Sequence, residues 1–107
     1  MPSNNEKSKK MQVAKEILNQ LGGNKFIAMT GAKNLVGGES SLQFSIGRGA
    51  KRGINKVRVE LTSMDDYTVT FWKIAGVDFK KVDEANGVFC DNLASIFTEK
   101  TGFETRL

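Results

Sequence analysis

Residues 56–72 read KVRVELTSMDDYTVTFW, and this stretch is the strongest indication of the fold. Apolar and polar side chains alternate along residues 57–62, and they alternate again along residues 67–72. A period of two is typical of a strand with one buried face, and Asp65 and Asp66 between the two runs favour a turn. The stretch therefore predicts an antiparallel hairpin with one apolar face.

Three further segments complete the predicted strands. Residues 41–46, SLQFSI, alternate in the same way. Residues 77–82 are less regular, because Phe79 and Val82 do not share parity, and an edge position or a β-bulge explains this. The apolar run Lys25–Thr30 is short and bounded by glycines, so it predicts a buried strand, followed by a connecting loop over residues 31–40.

Two amphipathic helices enclose these strands in the sequence. The first is predicted from about Ser8 to Leu21, after a loose polar leader of residues 1–7, and its apolar stripe consists of Met11, Ala14, Leu18 and Leu21. Gly22 and Gly23 end it. The second is predicted after an N-cap at Asn86 and before a stop at Gly102, with an apolar stripe of Phe89, Leu93, Ile96 and Phe97.

These elements predict an α+β fold in two layers. An antiparallel sheet of about five strands carries the N-terminal and the C-terminal helix on its apolar face, and the other face stays open. The 107 residues fit a single domain. The expected core consists of Leu18, Phe44, Val59, Leu61, Val69, Phe71, Leu93 and Phe97.

Composition excludes several classes of protein. With 39% hydrophobic and 26% charged residues the chain has globular values, and no apolar run approaches the ~20 residues that cross a bilayer. We therefore expect a cytoplasmic protein without a membrane partner. The sequence does not specify an oligomeric state, and it is compatible with a homodimer.

The side chains that most enzymes use are missing. The chain has no histidine, so an imidazole base, a Ser-His or Cys-His pair and an imidazole metal ligand are all absent. The one cysteine, Cys90, falls among apolar positions of the second predicted helix and is expected to be a buried core thiol. We expect no enzyme activity, no cofactor and no metal site.

Charge is divided unevenly along the chain. Residues 1–60 contain eleven cations and four anions, a balance of +7, and residues 61–107 contain five cations and eight anions, a balance of −3. The only tryptophan, Trp72, is predicted on the open sheet face. A hairpin with a five-residue connection sets it opposite Lys56, and one with a three-residue connection sets it opposite Arg58.

This arrangement suggests a site for nucleic acid. An exposed indole can stack on a base, and loop cations can contact phosphates without reading sequence. The candidate nucleic-acid-binding residues are Arg48, Lys51, Arg52, Lys56, Arg58 and Trp72. Two structural alternatives are a cation–indole pair that only stabilises the fold, and a Trp72 covered by the N-terminal leader.

Three segments resemble known sequences: residues 21–34 (LGGNKFIAMTGAKN), residues 66–69 (DYTV) and residues 101–107 (TGFETRL). Together they are similar to a family of small uncharacterised proteins of phage, prophage and other mobile elements. The resemblance implies an accessory role in the cytoplasm of a bacterial host cell and no particular mechanism. Two functions follow as expectations: nucleic-acid binding, or a protein–protein interaction in which the chain acts as an inhibitor or adaptor of a host protein.

Overall fold

A five-stranded antiparallel sheet carries three helices on one of its faces, in a computed structural model that describes the backbone of residues 2–105 and the side chains of residues 12–105. Helices α1 (Pro2–Leu21) and α2 (Gly23–Thr30) come first. Strands β1 (Lys33–Gly37), β2 (Ser41–Ser45), β3 (Lys56–Leu61), β4 (Tyr67–Ala75) and β5 (Asp78–Val88) follow, with a short 3-10 turn at Lys51–Gly53, and α3 (Leu93–Thr101) is last. The predicted α+β fold is confirmed.

The strands lie in the order in which they occur in the chain, so β1 and β5 are the two edges. In the β3–β4 hairpin Val59 pairs with Val69 and Lys56 with Trp72, through the five-residue connection 62–66. The predicted hairpin and the first of its two predicted registers are confirmed. The alternative register is wrong, because Arg58 pairs with Thr70.

The inner face of the sheet is the apolar one, and the three helices cover it. Leu42, Phe44, Val57, Val59, Val69 and Phe71 alternate along β2, β3 and β4 and are all buried. The rings of Phe26 in α2, Phe44 in β2 and Phe97 in α3 meet with centroids 5.1–6.2 Å apart, which joins the helices to the sheet. Six of the eight expected core residues are buried, and Leu18 and Leu61 are partly buried against the same cluster.

The predicted buried strand at Lys25–Thr30 is wrong, because these residues belong to α2. Phe26 and Thr30 are buried four residues apart, while Lys25 and Met29 are exposed, which is the spacing of a helix. An apolar run this short between glycines does not distinguish a strand from a helix. Gly22, at φ 133°, separates α2 from α1.

Two further predicted boundaries are wrong at the N-terminal half. The helix α1 begins at Pro2 and includes most of the predicted leader, because residues 3–10 contain no glycine or proline that would interrupt it. Residues 33–37 form β1 instead of a loop. They are all exposed, and a register shift between Lys33 and Val36 interrupts the pairing with β2, so no alternation marks the strand.

The C-terminal helix is shorter than predicted. Asn86 lies in β5, where its side-chain oxygen accepts a hydrogen bond from the Thr68 hydroxyl at 3.1 Å, and α3 has Asn92 as its N-cap. The stop at Gly102 is confirmed: this residue has φ 81°, and its amide donates to the carbonyl of Thr98. The edge position and irregular pairing predicted for residues 77–82 are also confirmed, since β5 is an edge with two register shifts. Met11, Arg106 and Leu107, named in the sequence predictions, lie outside the side chains described.

Candidate nucleic-acid interface

The outer face of the sheet carries a row of lysines that crosses all five strands. Pairing sets Lys33 opposite Ser45, Ser45 opposite Lys56, Lys56 opposite Trp72 and Trp72 opposite Lys81. Directly paired side chains share a face, so these five residues form one line, which we call the lysine row. Four spacings of about 4.8 Å give it a length of about 19 Å.

Trp72 lies near the middle of this row and is half-buried, so part of its indole reaches water. The helix α1 packs on β1, β2, α2 and α3, which places the helical layer on the inner face. Asn55 fixes β4 at Trp72, because its backbone N–H donates a hydrogen bond to the Trp72 carbonyl at 2.9 Å. The Asn55 side chain also exchanges two hydrogen bonds of 2.8 Å with the backbone of Ile74.

Beside the row lies a shallow cleft of about 330 Å³. Three cations line it, Lys33, Arg48 and Lys56, together with Ser45, Ile46, Asn55 and Ile74. Arg48 also lines a smaller cleft of about 190 Å³ formed by residues 46–50 and 53–55. The structure therefore brings two of the predicted site residues, Arg48 and Lys56, together with a third cation.

These three cations have no carboxylate partner within 4 Å among the side chains of residues 12–105. Two other cations of the outer face do: Arg58 pairs with Glu60 at 3.5 Å, and Lys81 pairs with Glu84. The hydrogen bond from Lys81 holds the pKa of the Glu84 carboxyl below its usual range. The uncompensated positive charge of the outer face is thus concentrated at the cleft.

The structure does not bring Lys51 and Arg52 to this face. The Lys51 ammonium donates to the carbonyl of Glu99 in α3 at 3.2 Å, and the Arg52 guanidinium pairs with Asp83 at 2.7 Å. Lys100 of α3 pairs with the same carboxylate at 2.9 Å. Asp83 lies opposite Phe71 and therefore on the helical side.

This cluster of Arg52, Asp83 and Lys100 connects the 3-10 turn, β5 and α3. Hydrogen bonds from Arg52 and then Lys100 hold the pKa of the Asp83 carboxyl well below its usual range. Arg52 has φ 56°, the left-handed conformation that costs a non-glycine residue ~1–2 kcal/mol, so the ion pair offsets a strained backbone. The cluster therefore stabilises the fold, and both of its cations are already paired with the Asp83 carboxylate.

Sequence reasoning missed Lys33, Ile74, Phe79 and Lys81 as members of the outer face. Lys33 was missed because β1 was predicted as a loop. The register shift at Val82 moved Lys81 to the face of Trp72, and a shift of this kind leaves only a broken alternation as a signal in the sequence.

The prediction that Cys90 is a buried core thiol is wrong. The residue is exposed, because it lies in the turn that precedes α3 and not in the helix. Its thiol donates to the Asp91 carboxylate at 3.3 Å. This hydrogen bond raises the pKa of the Cys90 thiol.

The chain was compared with protein-family models, with curated proteins and with solved structures. No protein-family model, no curated protein and no solved structure matches the chain. Across the described residues no group of three or more Cys, Asp or Glu side chains is arranged to hold a metal ion. None of the described helices has the length and apolar character needed to cross a membrane.

Proposed function

We propose that the outer face of the sheet binds single-stranded nucleic acid, with little dependence on base sequence. Lys33, Arg48 and Lys56 contact phosphates, and the Trp72 indole stacks on a base. The observation that supports this best is a single cleft beside the only tryptophan in which three cations meet, none of them with a carboxylate partner among the described side chains.

The chemistry of the two parts is complementary. Cations that replace the counterions of a phosphate backbone give affinity that does not depend on the base. An aromatic ring on an open sheet stacks on any base that is not paired, and contributes about 1–3 kcal/mol per base. A base inside a duplex does not offer its face to such a ring, so a single strand is the better ligand.

The structure also changes the residues to which binding is assigned. Arg58 is partly neutralised by Glu60, and Lys51 and Arg52 serve α3 and β5, so these three contribute less than Arg48 and Lys56. Lys33 joins the site in their place. In the cell, such a protein would act as an accessory of a phage or mobile element in the cytoplasm of its bacterial host.

Fluorescence anisotropy of a labelled mixed-sequence oligonucleotide of about 12 nucleotides tests the proposal, a length within the ~4–16 nucleotides that an OB-fold site covers. Each phosphate contact contributes about 0.7 to the slope of log K against log salt concentration for a single strand. The double variant Lys33→Ala, Lys56→Ala should bind more weakly and should flatten that slope by about 1.4.

The matched control is Lys15→Ala with Lys25→Ala, which removes the same charge from exposed positions of α1 and α2. This variant should keep most of the affinity and the original slope. Equal losses in the two double variants would contradict a site on the outer face, and so would a wild-type protein that retains no oligonucleotide at low salt.

A second function, binding to a host protein, is favoured by one observation on the helical side of the edge strand β1. An apolar cleft of about 470 Å³ lies between α1 and the edge strand β1, lined by Ala14, Leu18, Leu35, Val36 and Leu42 together with Lys15 and Gly37. An extended apolar segment of a partner could pair with β1 there. A pull-down from bacterial lysate tests this second function. Recovery of one host protein that persists after nuclease treatment and is lost in the variant Val36→Glu would favour protein binding over nucleic-acid binding.

A further inference from the structure

The β4–β5 hairpin extends beyond the core and carries a second aromatic ring. All residues from Lys73 to Lys81 are exposed except Ile74, which is half-buried. The side chain of Phe79 is 69% exposed. An aromatic residue gains about 1.5–3 kcal/mol when it is fully buried, and in the isolated chain Phe79 gains little of this.

Register places Phe79 on the same face as Trp72. Phe79 lies directly opposite Ile74, and Lys81, two residues further on, lies directly opposite Trp72. Phe79 is therefore a diagonal neighbour of Trp72 across the β4–β5 pair, at a Cα separation of about 7–8 Å. Trp72, Ile74 and Phe79 are therefore neighbours on the outer face, and we call these three residues the platform.

The charges around the platform identify the kind of ligand. Lys56 and Lys81 lie directly opposite Trp72 on its two neighbouring strands, and the cleft cations Lys33 and Arg48 lie on the β1 side. A polyanion that also presents flat aromatic groups satisfies both features. The ligand class with this chemistry is a nucleic-acid strand with unpaired bases.

We infer that Phe79 is a second base-stacking residue, so that two neighbouring bases of one strand lie on Trp72 and Phe79 while the strand continues toward the cleft. This assignment rests on the proposed function and adds a ring to it.

The spacing of the rings has a consequence for the choice of strand. Successive bases of a helical strand are about 3.4 Å apart along the axis, whereas the Cα atoms that carry the two rings are about 7–8 Å apart. Two bases must unstack from each other to occupy both rings. The free-energy cost of this unstacking is lower for oligopyrimidines, whose bases stack weakly and whose backbone is flexible, than for oligopurines, whose bases stack strongly.

The test uses labelled oligo(dT) and oligo(dA) of equal length, about 12 nucleotides, with the RNA forms oligo(U) and oligo(A) as a second pair. Anisotropy at low salt is measured for the wild type, Phe79→Ala and Trp72→Ala. The control is Val77→Ala, which truncates a 94% exposed apolar side chain of the same hairpin. Since Phe79 and Val77 are both exposed, neither variant should alter the thermal unfolding midpoint appreciably.

The wild type should bind oligo(dT) several-fold more tightly than oligo(dA). Comparison of oligo(dA) with oligo(A), which carry the same base, identifies the preferred sugar. Phe79→Ala should weaken binding of oligo(dT) roughly tenfold, and it should reduce the preference over oligo(dA), because one ring no longer requires two separated bases. Val77→Ala should stay within about twofold of the wild type.

Failure of this inference differs from failure of the proposed function. If Trp72→Ala weakens binding and Phe79→Ala does not, the second ring is excluded while the single-ring site stands. If Phe79→Ala and Val77→Ala weaken binding equally, the hairpin contributes apolar area and no specific stacking. If the wild type binds none of the four strands, both proposals are overturned.

Discussion

The two faces of the sheet are built from alternate residues of the same strands and differ in almost every physical respect. On the inner face Phe44, Val57 and Phe71 have no exposed surface and contact three helices. On the outer face Lys56 and Trp72 are half-buried, and none of the described helices forms a layer over this face. One residue along a strand therefore separates a site that determines stability from a site that is available for binding.

Substitutions on the two faces should therefore have different effects. Inner-face changes should lower the free energy of unfolding with little specific effect on a ligand. Outer-face changes should leave the free energy of unfolding nearly constant.

Phe71→Ala should give the largest effect. Removing a fully buried ring should lower the free energy of unfolding by about 3–5 kcal/mol, whereas Thr70→Ala, one residue away on the outer face, should cost less than about 1 kcal/mol. Urea unfolding followed by Trp72 fluorescence measures both. A cost below about 1 kcal/mol for Phe71→Ala would mean that the two faces have been assigned the wrong way round.

Gly22→Ala should be the next largest. Gly22 has φ 133°, and a Cβ added there would lie 2.8 Å from the Thr105 carbonyl oxygen, so both strain and a close contact oppose the change. We expect a loss of about 2–3 kcal/mol in thermal or urea unfolding. The matched control is Gly76→Ala in the hairpin, where φ is 61° and no atom lies within 4 Å. It should cost only about 1 kcal/mol, and equal costs would show that the α1–α2 junction is not constrained.

Asp83→Asn should cost about 1 kcal/mol at neutral pH, because the ion pairs to Arg52 and Lys100 are partly exposed and screened. The pKa of Asp83 is lowered in the folded protein, so its stabilisation is fully present above the unfolded-state pKa of about 4 and is lost as the pH falls further. The difference between wild type and variant should therefore shrink below about pH 4. Asp78→Asn on the exposed hairpin is the control, and a difference that grows on acidification would contradict the sign.

Cys90→Ala should have the smallest effect, below about 0.5 kcal/mol, because the side chain is exposed. A thiol reagent should label the folded protein nearly as fast as the unfolded one. Asp91→Asn should speed labelling at neutral pH, since it removes the hydrogen bond that raises the thiol pKa. Strong protection of the thiol in the folded state would place Cys90 in the core after all.

The sequence predicted the parts of the fold in which periodicity is strong. Alternation marked β2, β3 and β4, and it placed Trp72 opposite Lys56 once the hairpin connection had five residues. The sequence prediction was wrong for α2 and β1, where the local pattern of residues does not reflect the tertiary packing. The helix α2 buries only Phe26 and Thr30, and β1 is an exposed edge that buries none of its residues, so the sequence of neither segment shows a clear period.

The candidate site was predictable only in part for the same reason. Arg48, Lys56 and Trp72 were found because they lie on or beside strands that were recognised. Lys33 and Phe79 depend on the pairing of β1 and on the register of β5, which bulges shift and which no local pattern specifies. Lys51 and Arg52 are adjacent to the site in sequence, but their partners Glu99 and Asp83 are distant in sequence and draw them to the helical side.

Nucleic-acid binding by the outer face is tested most directly by a titration of intrinsic fluorescence, because Trp72 is the only tryptophan and belongs to the lysine row. A mixed-sequence single-stranded oligonucleotide added at low salt should quench its emission in a saturable way. Added salt should restore the emission, since the phosphate contacts weaken as counterions compete. Two results together would contradict nucleic-acid binding by the outer face: Trp72 emission that does not change, and a protein that does not retain the same oligonucleotide.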